Sequence, residues 1–192
     1  MIVFIIQYIY YFLFHLPLKM IFNPEISIPN NLELKKPVLI IANHNHRLDP
    51  FLLTLLPFSL IRKLIPVYFP TAEVYHKNIL LSFLIRPLGS YPIKRWSWSF
   101  ESIFDKTLKD LQKKKTTLIF PEGQIVRDGK KTRAKSGFLF LSLKSRATII
   151  PIKFKTKNRL GIKVGKSIKL DTSKRISHEK EANKIMKNLY KM

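Results

Sequence analysis

Apolar residues recur along this chain in two ways: in short unbroken runs, and at every third or fourth position. The two patterns alternate. Residues 1–18 are apolar or aromatic except for Gln7, His15 and Pro17, and no charged side chain precedes Lys19. A helix apolar on every side needs lipid or a large protein interior around it. Residues 1–22 are therefore read as a membrane-anchoring helix, either a short span or a helix lying in the interface; a span takes about 20 apolar residues. The stretch lacks the basic start and small-residue cleavage site of a secretory signal. Residues 23–37 carry Pro24, Pro29 and Pro37 and read as a turn-rich connector.

The run Val38-Leu39-Ile40-Ile41-Ala42 predicts a buried strand. A helix is expected over 49–60, a strand over 64–69, and a helix over 72–85 whose apolar positions include Val74, Leu81, Leu84 and Ile85. A short strand follows over 89–93. Phe104, Leu108 and Leu111 recur at helical spacing within 99–114, ahead of a strand over 116–120. The remainder predicts a helix over 136–145, strands over 148–154 and 162–170, and a helix over 178–190 with Ala182, Ile185, Met186 and Leu189 on one face. Strands alternating with helices imply an α/β fold, a mostly parallel β-sheet flanked by helices. It would occupy residues 23–192 as one domain behind the anchor.

Charge changes the picture more than composition does. The 192 residues include 35 Lys and Arg against 12 Asp and Glu, a formal charge of +23. Such a charge selects partners: nucleic acid, an anionic membrane surface, or acidic soluble molecules. Nucleic acid is disfavoured, because the aromatics concentrate in the apolar N-terminus and in core-like positions, with no recognition motif. The absence of cysteine excludes disulfides, thiolate metal sites and a cysteine nucleophile.

Three stretches could carry chemistry. The first is Asn43-His44-Asn45-His46-Arg47-Leu48-Asp49-Pro50, a polar cluster between apolar runs. Asp is favoured at a helix N-cap and Pro at the first helical position, so the helix is expected to start at Asp49. His44 then lies in the preceding loop, free to fold back. Asp49 could hold one imidazole nitrogen as a donor and leave the other as proton acceptor. With no Ser or Cys alongside, the base would act on a substrate hydroxyl. Simpler readings stand beside this one: a capping aspartate near a surface histidine, His46 as the base instead, or a metal site of His44, His46 and Asp49, which ranks below the dyad because no further ligand cluster is evident.

The second stretch, Gly89-Ser90-Tyr91-Pro92-Ile93-Lys94-Arg95, delivers a short strand into two cations, and Arg95 could grip a phosphate with two parallel hydrogen bonds. The third, Leu118-Ile119-Phe120-Pro121-Glu122-Gly123, is a strand ending in a tight turn with a carboxylate. Ligands in open α/β sheets bind at the C-terminal edge of the strands. Lys130, Lys131, Arg133 and Lys135 follow and could form an anion-binding rim.

Together these stretches resemble the glycerolphosphate/1-acylglycerol-3-phosphate acyltransferase family. Its blocks read Asn-His-x4-Asp-Pro, Gly-x-x-x-Ile-x-Arg, Phe-Pro-Glu-Gly and an apolar strand with proline. They are matched in order by Asn43 to Pro50, Gly89 to Arg95, Phe120 to Gly123, and Ile149-Ile150-Pro151-Ile152. The resemblance implies transfer of a fatty acyl group from an acyl thioester to a lysolipid hydroxyl, with 1-acylglycerol-3-phosphate as first-choice acceptor and phosphatidic acid as product. It implies His44 as base, Asp49 as its orienting partner, and substrate contacts from Arg95, Gly89, Glu122 and Gly123, with Pro151 lining or bracing the pocket. The sequence departs from the family where Thr-Arg-Ser commonly follows the third block. Gln124-Ile125-Val126 stands there, so Arg127 or Lys135 would have to take the headgroup contact, or the acceptor is a different lysolipid. The implied partners are anionic membrane lipids, a lysophospholipid acceptor, and either acyl-CoA or an acidic acyl carrier protein as donor substrate. No metal and no cofactor beyond the donor is implied. The implied location is the cell membrane at its cytoplasmic face, where Lys- and Arg-rich segments collect.

Overall fold

Five consecutive apolar residues with no exposed face can sit only inside a sheet covered on both sides, and that is where the chain puts them. The structure, a computed structural model, describes residues 2–93, 100–126, 132–156, 159–171 and 177–192. Its strands are β1 (Glu25–Ser27), β2 (Val38–Ala42), β3 (Val67–Ala72), β4 (Ser90–Ile93), β5 (Thr116–Ile119), β6 (Thr148–Lys155) and β7 (Gly161–Val164). They form one sheet in the order β1-β7-β6-β2-β5-β3-β4. β2 is central, with Ile40 level with Leu118 of β5 and Ile150 of β6. Every pairing is parallel except β6 with β7.

Side chains of β2 alternate between two cores. Val38, Ile40 and Ala42 face one that includes α1 (Ile2–Phe22), a 3-10 helix (Asp49–Leu55) and α2 (Phe58–Leu64). Leu39 and Ile41 face the other, built from α5 (Phe100–Gln112), α6 (Gly137–Ser145) and α7 (His178–Lys191). The expected parallel α/β architecture is the one observed.

The elements differ from expectation where local chemistry breaks a period. The helix expected over 49–60 is the 3-10 turn followed by α2, divided at Leu56-Pro57 because Pro57 has no N–H to continue the ladder. α2 also absorbs Leu64, so the next strand starts at Val67. The helix expected over 72–85 is two: α3 (Glu73–Lys77) and α4 (Ile79–Ile85), with the Asn78 side chain capping α4 by accepting from Leu81 N at 2.9 Å. β7 stops at Val164, and Ile168 rejoins only as a single bridge to Ile149. Glu25–Ser27, expected as connector, pairs with β7.

The first helix is docked on the body by a stripe of three polar side chains four residues apart, a spacing that puts them on one helix face. Gln7 donates to the carbonyls of Val67 (2.6 Å) and Leu88 (2.9 Å) and accepts from Val67 N–H (2.8 Å). Tyr11 donates to Leu56 O at 3.2 Å, and His15 Nδ1 to Thr54 O at 2.7 Å. The rest of the helix stays largely apolar and exposed, and it is long and apolar enough to cross a membrane.

Candidate active site

β2 ends at Ala42, and the next residue fixes how the chain leaves. The Asn43 side chain donates to Phe154 O (2.8 Å) and accepts from Phe154 N–H (2.7 Å) on β6. It thereby prolongs the sheet's hydrogen bonding one step with a side chain. His44 follows from this fixed point.

Asp49 is fully buried. Its Oδ2 collects three donors: Asn45 N at 2.6 Å, His46 N at 2.9 Å and His44 Nδ1 at 3.0 Å. The fold-back expected of His44 is therefore present, but Asp49 is not the helix cap. Leu48 takes that position and Asp49 heads the 3-10 helix, with its carboxylate turned back over the loop. The reason is where unmet donors lie. Pro50 has no N–H, and the turn's own donors are used, Asp49 N to His46 O (3.1 Å) and Phe51 N to Leu48 O (2.9 Å). The loop amides of Asn45 and His46 are the groups that need an acceptor.

An ionised carboxylate can only accept, so His44 Nδ1 carries the proton and Nε2 is left as the acceptor. The ring stacks on Phe120, centroids 4.0 Å apart and planes 14° apart, which limits its rotation. The two histidines are thereby distinguished: His46 Nδ1 accepts from Leu48 N–H at 3.2 Å, within its own loop.

The third block reaches back to the first. After β5, Gly123 N donates to Phe120 O at 2.9 Å to close the turn, with Gly123 at φ 65°. Glu122 is only 4% exposed. Its Oε2 accepts His44 N–H at 2.8 Å, and its Oε1 accepts the Tyr190 hydroxyl from α7. Burial raises its pKa, and the hydrogen bonds from Tyr190 and His44 N oppose the rise. Burial likewise raises the Tyr190 pKa, and its bond to Glu122 adds to that. Val126 N donates to His44 O at 2.7 Å. Both backbone groups of His44 are thus held by residues 122–126. Lys135 N donates to Pro121 O at 2.9 Å, and the Lys135 side chain lies over Gly123.

The structure therefore brings His44, Asp49, Glu122, Gly123 and Lys135 to the C-terminal edge of β2 and β5. Glu122 meets the protein with both oxygens, bracing the His44 loop from inside. Gly89 does not join them. It precedes β4, at the opposite edge of the parallel strands, where a Cβ would stand 2.3 Å from Val67 O and 2.8 Å from Gln7 Nε2. Its φ of 92° and that close approach explain the glycine on backbone grounds. Arg95, Lys94, Arg127, Lys130 and Lys131 lie outside the described residues; Ile93, the last described residue before Arg95, ends β4 at the site edge. Arg133 pairs with Glu179 of α7. Pro151 is buried in β6 beside Ile41 of β2.

Sequence reasoning gave no role to Asn43, Phe120, Val126 or Tyr190. Asn43 and Phe120 stand inside the quoted blocks, so their position was the available signal. Tyr190 has none: it is one aromatic at the end of an amphipathic helix, 68 residues from its partner. The arrangement is an imidazole with one nitrogen tied to a buried carboxylate and its backbone clamped on both sides, suited to drawing a proton from a hydroxyl.

Residues 23–155 match a protein-family model described as Acyltransferase. No curated protein matches the chain. Among solved structures, the chain is similar to the crystal structure of the 1-acyl-sn-glycerophosphate (LPA) acyltransferase PlsC from Thermotoga maritima. The TM-score is 0.61 at 17% identity, over 89% of this chain and 74% of that one. At that identity the likeness is one of fold.

Proposed function

The chain belongs to the acyltransferase family, and from that premise we propose that it transfers a fatty acyl group from an acyl thioester to the free hydroxyl of a lysolipid. The acceptor proposed first is 1-acylglycerol-3-phosphate, which would give phosphatidic acid. A lysolipid with another headgroup is the alternative, because Gln124-Ile125-Val126 offers no cation beside the turn. The observation that carries the reading is the 3.0 Å contact of His44 Nδ1 with Asp49 Oδ2, the carboxylate being wholly buried.

His44 Nε2 takes the proton as the acceptor oxygen attacks the thioester carbonyl carbon. Asp49 stabilises the imidazolium that forms. The tetrahedral intermediate collapses with cleavage of the C–S bond, and the departing thiolate takes the proton back from Nε2. The products are the ester and a free thiol. Glu122 and Val126 hold the His44 backbone through both steps. Lys135, whose side chain lies over Gly123, is our candidate for the acceptor's phosphate, with Arg95 and Arg127 as further candidates. The donor is acyl-CoA or an acidic acyl carrier protein, and both suit a basic face. The chain works at an anionic bilayer, at its cytoplasmic face, with α1 as its anchor.

The test is thiol release from acyl-CoA and from acyl carrier protein across a panel of lysolipids. Release should depend on the lysolipid. His44→Ala should lose about 10²–10⁴-fold in kcat while vesicle binding persists. Undiminished transfer in that variant would remove His44 from the mechanism. Activity with another lysolipid but none with 1-acylglycerol-3-phosphate would move the assignment to the alternative acceptor.

A further inference from the structure

We infer that α4 is a second membrane contact, seating the α3–α4 edge of the sheet on an anionic bilayer beside α1. The inference rests on the bilayer reading of α1 given above. α4 is inside out. Its buried residue is Ser82, whereas Ile79, Leu80, Phe83 and Leu84 are 88%, 73%, 76% and 51% exposed. Those four positions follow the spacing of one helical stripe. Val74 on α3 adds to the same exposed apolar set at 64%. A helix with its polar side chain inward and its apolar stripe outward is arranged for an apolar surrounding.

Three further observations identify that surrounding as lipid. α1 is inverted in the same way, with Gln7, Tyr11 and His15 inward and Ile2, Ile9, Phe12, Leu13 and Leu16 among its exposed residues. The two are joined: Gln7 donates to Leu88 O, three residues beyond the end of α4. Exposed cations flank the stripe, Lys77 before α4 and Arg86 after it, in a chain of charge +23, which complements anionic headgroups. α3 is also fixed to the sheet, because His76 Nε2 meets Thr71 Oγ1 at 2.7 Å and Ser90 Oγ at 3.2 Å. The contact is therefore rigid with the catalytic domain. α3 leaves the C-terminal end of β3, the edge at which His44 leaves β2.

The chain has no cysteine, so a single introduced thiol reports its own environment. Leu80→Cys and, as control, Lys187→Cys on the opposite side of the sheet would each carry an environment-sensitive fluorophore in the full chain. On phosphatidylcholine vesicles doped with phosphatidylglycerol, the label at 80 should shift to the blue and brighten, and the label at 187 should not. Leu80→Ser/Phe83→Ser should weaken vesicle partition about tenfold or more. Its melting temperature and its acyl transfer in detergent mixed micelles should stay unchanged, since both side chains face outward.

A label at 80 that still reports water while the chain is vesicle-bound overturns the inference and leaves the bilayer reading of α1 intact. Equal partition of the double variant does the same. Loss of mixed-micelle activity in that variant would make α4 part of the catalytic fold and also overturn it. So would a dimer by light scattering that the double variant abolishes without altered vesicle binding, since the face would then serve a second copy. A wild-type chain that ignores every vesicle sinks the α1 reading and this one with it.

Discussion

Tyr190→Phe isolates one atom of the site's support. The variant keeps the ring and deletes the hydroxyl that Glu122 Oε1 accepts. A hydrogen bond to a charged group contributes about 1.5–3 kcal/mol. The carboxylate is 4% exposed, so water cannot readily replace the missing donor. A loss near 2 kcal/mol is expected, which for a chain of this size lowers Tm by about 4–8 °C. The pH dependence has a definite sign. Burial raises the Glu122 pKa and the bond from Tyr190 opposes that rise, so removing the bond raises it further. The variant's extra cost is fully present above both folded-state values, where Glu122 is ionised in both proteins. It fades as pH falls and the carboxyl becomes neutral. Activity should respond through His44, whose N–H rests on the same carboxylate. We expect kcat to fall about tenfold through misplacement of the base, with KM for the acyl donor little changed. Paired melting and kinetic series of the two proteins across pH measure all of this. A stability difference that is pH-independent, or below about 0.5 kcal/mol, would show that the hydroxyl does not serve the carboxylate, and the strut would be refuted.

Two glycines separate the site from its scaffold. Gly89→Ala puts a Cβ 2.3 Å from a backbone carbonyl at φ 92° and should cost about 3 kcal/mol or more, seen as low soluble yield or a large drop in Tm. Gly123→Ala meets only the movable end of Lys135, so it should cost about 1–2 kcal/mol from its left-handed φ and raise KM for the acceptor. Gln7→Ala removes three hydrogen bonds to Val67 and Leu88 and strands the Val67 amide. A loss of about 1–3 kcal/mol is expected, together with faster amide exchange at Val67.

Much of this fold can be read from residues, and the exceptions have physical causes. An unbroken apolar run marks a strand buried on both faces, and β2 lies where Val38-Leu39-Ile40-Ile41-Ala42 puts it; β5 is equally buried although it opens on Thr116-Thr117, whose β-branching suits a strand. Glu25–Ser27 carries no such run, because a three-residue edge strand needs only backbone partners. Periodicity located apolar positions along residues 72–85 but could not say what meets them; Val74 and Leu84 among them face outward. The same limit applies to the site. The His44–Asp49 pair lies within one loop and follows from local spacing. Whether His44 or His46 takes the carboxylate depends on which nitrogen the loop already uses, and that is decided by the Leu48 amide. Tyr190 meets Glu122 only because α7 returns across the sheet, and no local pattern encodes that return.

The stripe that docks α1 has a mechanical consequence. Residues four apart lie on a ridge inclined about 26° to a helix axis, so contacts at Gln7, Tyr11 and His15 make the helix cross the body obliquely. A slip of one residue would turn the helix by about 100° and withdraw all three side chains together. Attachment is therefore confined to a single screw position, in which the outward azimuth of Phe12, Leu13 and Leu16 is set by four carbonyl groups on the far side, those of Val67, Leu88, Leu56 and Thr54. The tilt of the whole body against whatever those residues enter is built into the fold rather than left to a hinge.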